Sequence, residues 1–99
     1  MANNPDNTLI DLRDAVQAAR QNFADLFSEE RYTNIRLEEF SLSDDGSIWN
    51  ITLGYDVVLE RESPLLAEMG VRPLTRREYK TFEVGAQDGL VKAMKIRNV

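Results

Sequence analysis

The sequence predicts an α+β fold: one N-terminal amphipathic helix packed on a four-stranded antiparallel meander sheet, in the order α-β-β-β-β. Three observations predict it. Leu9, Leu12, Val16, Ala19, Phe23 and Leu26 recur at alternating spacings of three and four residues, the apolar stripe of a helix. Beyond Asn34 the period falls to two, and Trp49, Ile51, Leu53, Tyr55, Val57 and Leu59 hold six successive odd positions, the mark of a half-buried strand in an antiparallel sheet. Clusters of turn formers at 43–47 and 85–89 separate runs of strand periodicity.

Residues 1–6 read as a frayed tail. Thr8-Leu-Ile-Asp11 has the Ser/Thr-x-x-acid form of a helix start, with Thr8 as cap and Asp11 suited to the positive end of the helix dipole. The helix is placed at 8–28. Its 3-4 spacing also fits a coiled-coil seam, but the sheet that follows at once favours core packing. The first strand spans about 34–42. Ile35 and Leu37 lie on one parity, and Phe40 and Leu42 on the other. The phase break at Glu38-Glu39 predicts a β-bulge. Ser43-Asp-Asp-Gly-Ser47 closes a hairpin into the second strand, about 48–60.

Residues 61–73 hold two prolines and a glycine and read as a long loop with one helical turn at 64–69. The third strand, about 74–84, is polar on both faces at Thr75–Lys80, with Tyr79, Phe82 and Val84 supplying its burial. The last strand spans about 90–97, with Leu90, Met94 and Ile96 on one face. All of this makes one domain over residues 1–99, a length that supports one modest core.

The chain has neither cysteine nor histidine. That excludes disulfides, Ser-His-Asp and Cys-His machinery and the common zinc ligands, so no catalytic, cofactor or metal residues are expected. No apolar run approaches the ~18 residues of a membrane span, and the N-terminus lacks a basic and apolar leader. The expectation is therefore a cytoplasmic protein without membrane association. Net charge is −5. Residues 1–60 carry 4 basic and 12 acidic side chains, and residues 61–99 carry 8 and 5. An acidic chain argues against nucleic acid, and pairing of acidic with basic strands accounts for the asymmetry.

Asp44, Asp45, Glu38 and Glu39 are carboxylates of the kind that hold Ca²⁺ or Mg²⁺, but turn chemistry and a solvated face explain them as well. Arg76, Arg77 and Lys80 beside Tyr79 suit phosphate or stacked bases, yet alternation sends the two arginines to opposite faces, and charge also protects sheet edges. Trp49 shares the parity of Ile51 and Leu53, which places it in the core rather than at a binding hot spot. Ile48 and Val58 lie off that parity and are candidates for a second apolar surface. Leu65, Leu66, Met69 and Val71 are apolar residues in a loop. They either cap the core or meet another chain.

The order of elements, with the hairpin Tyr79-Lys-Thr-Phe82-x-Val84-x-x-x-Asp88-Gly89-x-Val91, resembles PepSY-type and cystatin-like small domains. In those, a helix crosses a curled antiparallel sheet and the last hairpin reads roughly Tyr-x-Val-Asp-Ala-x-Thr-Gly-x-Val. Here Gly85 and Asp88 replace the aspartate and the threonine. The resemblance implies a binding or inhibitory module.

The functional expectation is a non-enzymatic protein-interaction module of inhibitor, immunity or regulatory type, binding a protein partner or a second copy through Leu65, Leu66, Met69, Val71, Ile48 and Val58. A small-ligand binder or enzyme with a pocket between helix and sheet is the alternative, to be recognised by a concavity with two or more convergent, buried polar groups. Nucleic-acid binding through the basic C-terminal third is a further alternative.

Overall fold

The computed structural model describes residues 9–28, 31–59, 65, 68–70 and 74–97. It contains one helix, α1 (Leu12–Leu26), followed by four strands: β1 (Tyr32–Leu42), β2 (Ile48–Val58), β3 (Thr75–Gly85) and β4 (Val91–Arg97). The strands form one antiparallel sheet in the order β1-β2-β3-β4. This is the α-β-β-β-β architecture that the periodicities predict.

The helix starts later than the Thr8 motif suggests. Asp11 is the N-cap, and its carboxylate accepts the Asp14 N–H at 2.9 Å. Tertiary hydrogen bonds explain the shift. The Ile10 N–H donates to the Ala86 carbonyl at 2.7 Å, and the Trp49 indole N–H donates to the Ile10 carbonyl at 3.1 Å. With both backbone groups of Ile10 engaged by the sheet, the helix begins only after Asp11. Thr8 lies outside the described residues.

Ala15, Ala19 and Phe23 are the buried residues of α1, and the two alanines let the helix approach the sheet closely. Leu26, expected in the apolar stripe, is 57% exposed. Phe27 turns inward instead, with its ring 4.9 Å from that of Phe23 and 6.5 Å from that of Tyr55. A step of four from Phe23 thus ends the stripe.

Two bulges shape β1. Its register to β2 slips between Thr33 and Arg36 and again between Leu37 and Glu39, so the predicted phase break at Glu38-Glu39 is a real register shift. The first slip contains Asn34, whose φ of 56° is a left-handed conformation that asparagine tolerates. In the 43–47 turn, Asp45 accepts bonds from the Ser43 hydroxyl and from both the hydroxyl and N–H of Ser47. The Ser47 bonds are the main reason its carboxyl falls to a pKa of about 2. By contrast, β2 and β3 pair without a break from Ile48↔Gly85 to Val58↔Thr75.

The helix packs on β2, β3 and β4. Between them lies the core of Ala15, Ala19, Phe23, Ile51, Leu53, Tyr55, Phe82 and Val84, with Trp49 partly buried at its margin. Leu59, the last of the six odd positions, is 47% exposed beyond the end of β2. The face away from the helix is polar. Thr52 and Thr81 share a hydrogen bond at 2.8 Å, and Lys95 pairs with Glu83 at 2.9 Å. Arg77 lies across Gly54 to reach Glu38 at 2.5 Å and Asp56 at 3.2 Å. Among the described residues, no helix is long and apolar enough to cross a membrane.

Candidate functional site: a polar cavity at the end of the helix

Alternate residues of β3 face α1 in the sequence Val84, Phe82, Lys80, Glu78, Arg76, as their register with Trp49, Ile51, Leu53, Tyr55 and Val57 requires. The strand is longer than its cover. Fifteen helical residues span roughly 22 Å at 1.5 Å each, whereas the eleven residues of β3 span roughly 36 Å. Phe82 and Val84 lie under the helix and are fully buried. Where the helix runs out at Phe27, the same face continues as Lys80, Glu78 and Arg76. The expectation that Tyr79 supplies burial is corrected here. Tyr79 is on the opposite face and half-buried, while Lys80 is only 8% exposed.

These side chains form one chain of hydrogen bonds. The Lys80 ammonium donates to Tyr55 Oη at 2.6 Å. The Tyr55 hydroxyl donates to Glu78 Oε1 at 3.3 Å. Arg76 grips the other carboxylate oxygen, Glu78 Oε2, through Nε at 3.0 Å and Nη2 at 2.6 Å. Lys80 Nζ also lies 5.6 Å from the Phe27 ring centroid and 5.3 Å from that of Tyr55, within cation–π range.

Burial pushes the Tyr55 phenol above its ordinary pKa, outweighing the hydrogen bond from Lys80. The Arg76 hydrogen bond holds the Glu78 carboxyl below its ordinary value. At neutral pH Tyr55 is therefore a neutral phenol and Glu78 a carboxylate. A raised phenol is a poor nucleophile, and a lowered, doubly engaged carboxylate is a poor base.

Beside these groups is a cavity of about 130 Å³, walled by Phe23, Phe27, Tyr32 and Val57. Tyr55 and Lys80 are two buried polar groups that converge on it. The parity of Lys80 with Phe82 and Val84 was the available signal. What hid it was the register to Tyr55, which lies across the long 61–73 connection.

The other candidate residues are dispersed. Ile48 and Val58 are half-buried at opposite ends of β2, roughly 33 Å apart, so they do not form one patch. Leu65 and Met69 are 64% and 67% exposed. The Met69 N–H donates to the Leu65 carbonyl at 3.2 Å; the helical turn expected at 64–69 otherwise lies largely outside the described residues. Leu66 and Val71 lie outside the described residues. Leu59 and Leu74, joined by a 2.9 Å backbone hydrogen bond at the base of the same connection, are 47% and 58% exposed. Phe40 and Leu42 of edge strand β1 are 50% and 41% exposed. An open groove of about 640 Å³ lies between α1 and β1, lined in part by Leu12, Val16 and Leu37.

Arg76 and Arg77 fall on opposite faces of β3, as alternation requires. Arg77 is held by Glu38, Asp56 and the Asn34 carbonyl, and Arg97 by Glu39. The guanidinium groups of Arg77 and Arg97 already grip carboxylates, which removes two of the forks that a phosphate backbone needs. Glu38 and Glu39 are thus ion-pair partners on the sheet, and Asp45 organises the turn. Among the described residues, no group of three or more Asp or Glu side chains comes together in a metal-binding arrangement.

Comparison with protein-family models, curated proteins and solved structures finds no match for this chain.

Proposed function

We propose that the chain is a non-enzymatic protein-interaction module of regulatory or inhibitory type. It acts in the cytoplasm and associates with a second copy of itself through the β2–β3 end. One observation carries the reading: Leu59, Leu65, Met69 and Leu74 all stand 47–67% exposed about one connection. Burying each such side chain is favourable by roughly 1.5–3 kcal/mol, and Leu65 and Met69 do not obtain that gain within the chain. The resemblance to PepSY-type and cystatin-like domains supports a binding role, and the absence of histidine and cysteine supports a non-enzymatic one.

Sedimentation velocity over a concentration series tests the reading. The wild type should dimerise, and Leu65→Ser with Met69→Ser should leave a monomer that melts close to the value of the isolated wild-type chain. A wild type that stays monomeric throughout, with a double variant that melts much lower, would show that the connection caps the core instead. Phe40→Ser with Leu42→Ser is the parallel arm. Loss of association there alone moves the interface to edge strand β1.

A further inference from the structure

The cavity at the helix end has the size, walls and charge of a ligand site, and none of these properties is needed by the proposed dimer interface. Its volume is about 130 Å³. A water occupies roughly 30 Å³ of liquid, and a cavity of about 150 Å³ accepts a benzene ring. The space therefore suits one flat body of that size. Phe23, Phe27, Tyr32 and Val57 supply apolar walls to hold it.

The charges lining it do not cancel. Lys80 and Arg76 are two cations facing one carboxylate, Glu78. Both oxygens of Glu78 are already engaged, one by Arg76 and one by Tyr55. An ammonium has three donors. Lys80 uses one on Tyr55, and its distance of 3.7 Å to Glu78 is an ion-pair contact beyond hydrogen-bond length. Among the described residues the lining thus carries one positive charge in excess, on a lysine only 8% exposed and set among aromatic rings. A buried charge without its full complement of partners is costly. An entering anion would complete the hydrogen bonding of Lys80.

We infer that this cavity binds a small monocarboxylate with a flat apolar body, its carboxylate on Lys80 and Arg76 and its body between Phe23, Phe27 and Tyr32. A carboxylate with a flat body fits better than inorganic phosphate because Phe23, Phe27 and Val57 offer apolar contact that phosphate cannot use. It fits better than an amine because the excess charge is positive.

Benzoate is the probe. Titration calorimetry on the full chain should show saturable binding of one benzoate per chain, in about the micromolar-to-millimolar range open to so small a ligand. Benzamide, benzylamine and inorganic phosphate should bind at least about tenfold more weakly, the usual effect of losing a charge-assisted hydrogen bond. Lys80→Met should weaken benzoate by a similar factor while the unliganded protein melts at the same temperature or higher, since an apolar replacement removes a buried charge. Arg76→Gln guards against misfolding of that variant. Its side chain is 61% exposed at the mouth, and its loss should also weaken benzoate. Absence of saturable benzoate binding, equal binding of benzamide, or benzoate affinity unchanged in both variants would each overturn the assignment. Self-association through Leu65 and Met69 stands or falls separately, by sedimentation without ligand.

Discussion

Replacing Phe23 by alanine tests the packing on which both the core and the cavity depend. Phe23 is 1% exposed. Its ring centroid lies 4.7 Å from those of Tyr32 and Tyr55, 4.9 Å from that of Phe27 and 6.5 Å from that of Phe82. Emptying such a site usually costs about 3–5 kcal/mol. Phe23 already borders an opening of about 130 Å³, so water can enter the enlarged space, and the expected loss is at the lower end, about 3 kcal/mol. A protein of this length has roughly 5–15 kcal/mol of stability in all, so the variant should stay folded at room temperature but melt about 12–24 °C lower. Urea denaturation should show a lower midpoint with an unchanged slope, the signature of lost stability rather than an altered unfolded state. A loss below about 1 kcal/mol, the size of a surface effect, would refute the placement of Phe23 at the centre of the helix–sheet contact.

Asp11→Ala should cost about 1 kcal/mol, as loss of a helix cap does, measurable by the same denaturation and restored by Asp11→Asn. The folded-state carboxyl of Glu78 titrates below its ordinary value of 4.5. Its contribution is therefore complete above that pH and fades as pH falls through the folded value, so a melting series below pH 4.5 should decline less steeply in Glu78→Gln than in wild type. Tyr55 is shifted the other way, above 10, so its contribution is complete below pH 10 and fades as pH rises towards the folded value. Tyr55→Phe should flatten that alkaline decline. Treatment with EDTA should leave the melting temperature unchanged, and a fall of several degrees would point back to Glu38, Glu39, Asp44 and Asp45 as metal ligands.

What could be read from residue order was what depends on neighbours in sequence. Helical spacing located α1, strict alternation located β2, and the Glu38-Glu39 phase break located a bulge, because each is a pattern of adjacent residues. The cap was misplaced because the Ile10 backbone is claimed by Ala86 and Trp49, partners distant in sequence. The inward turn of Phe27 in place of Leu26 depends likewise on Tyr55. The cavity stayed hidden because Tyr55 and Glu78 become neighbours only through the β2–β3 register. A connection as long as 61–73 does not fix that register, as a tight two-residue turn would. Lys80 reads as one more charge protecting a sheet edge, but β3 lies between β2 and β4, and helix length decides whether Lys80 is covered.

The bond between Ile10 and Ala86 has a consequence for synthesis. α1 is made first, but the surfaces that receive it belong in large part to β3 and β4, which emerge last. At roughly 5–20 residues per second, the helical segment waits several seconds for its docking surface. Fifteen residues are near the lower limit for an isolated helix in water, so the segment spends that interval largely unfolded with Phe23 and Phe27 accessible. The β2–β3 ladder, unbroken over its length, is complete in sequence before β4 is made. Pulse-labelled hydrogen exchange during refolding should accordingly protect the amides of β2 and β3 earlier than those of α1.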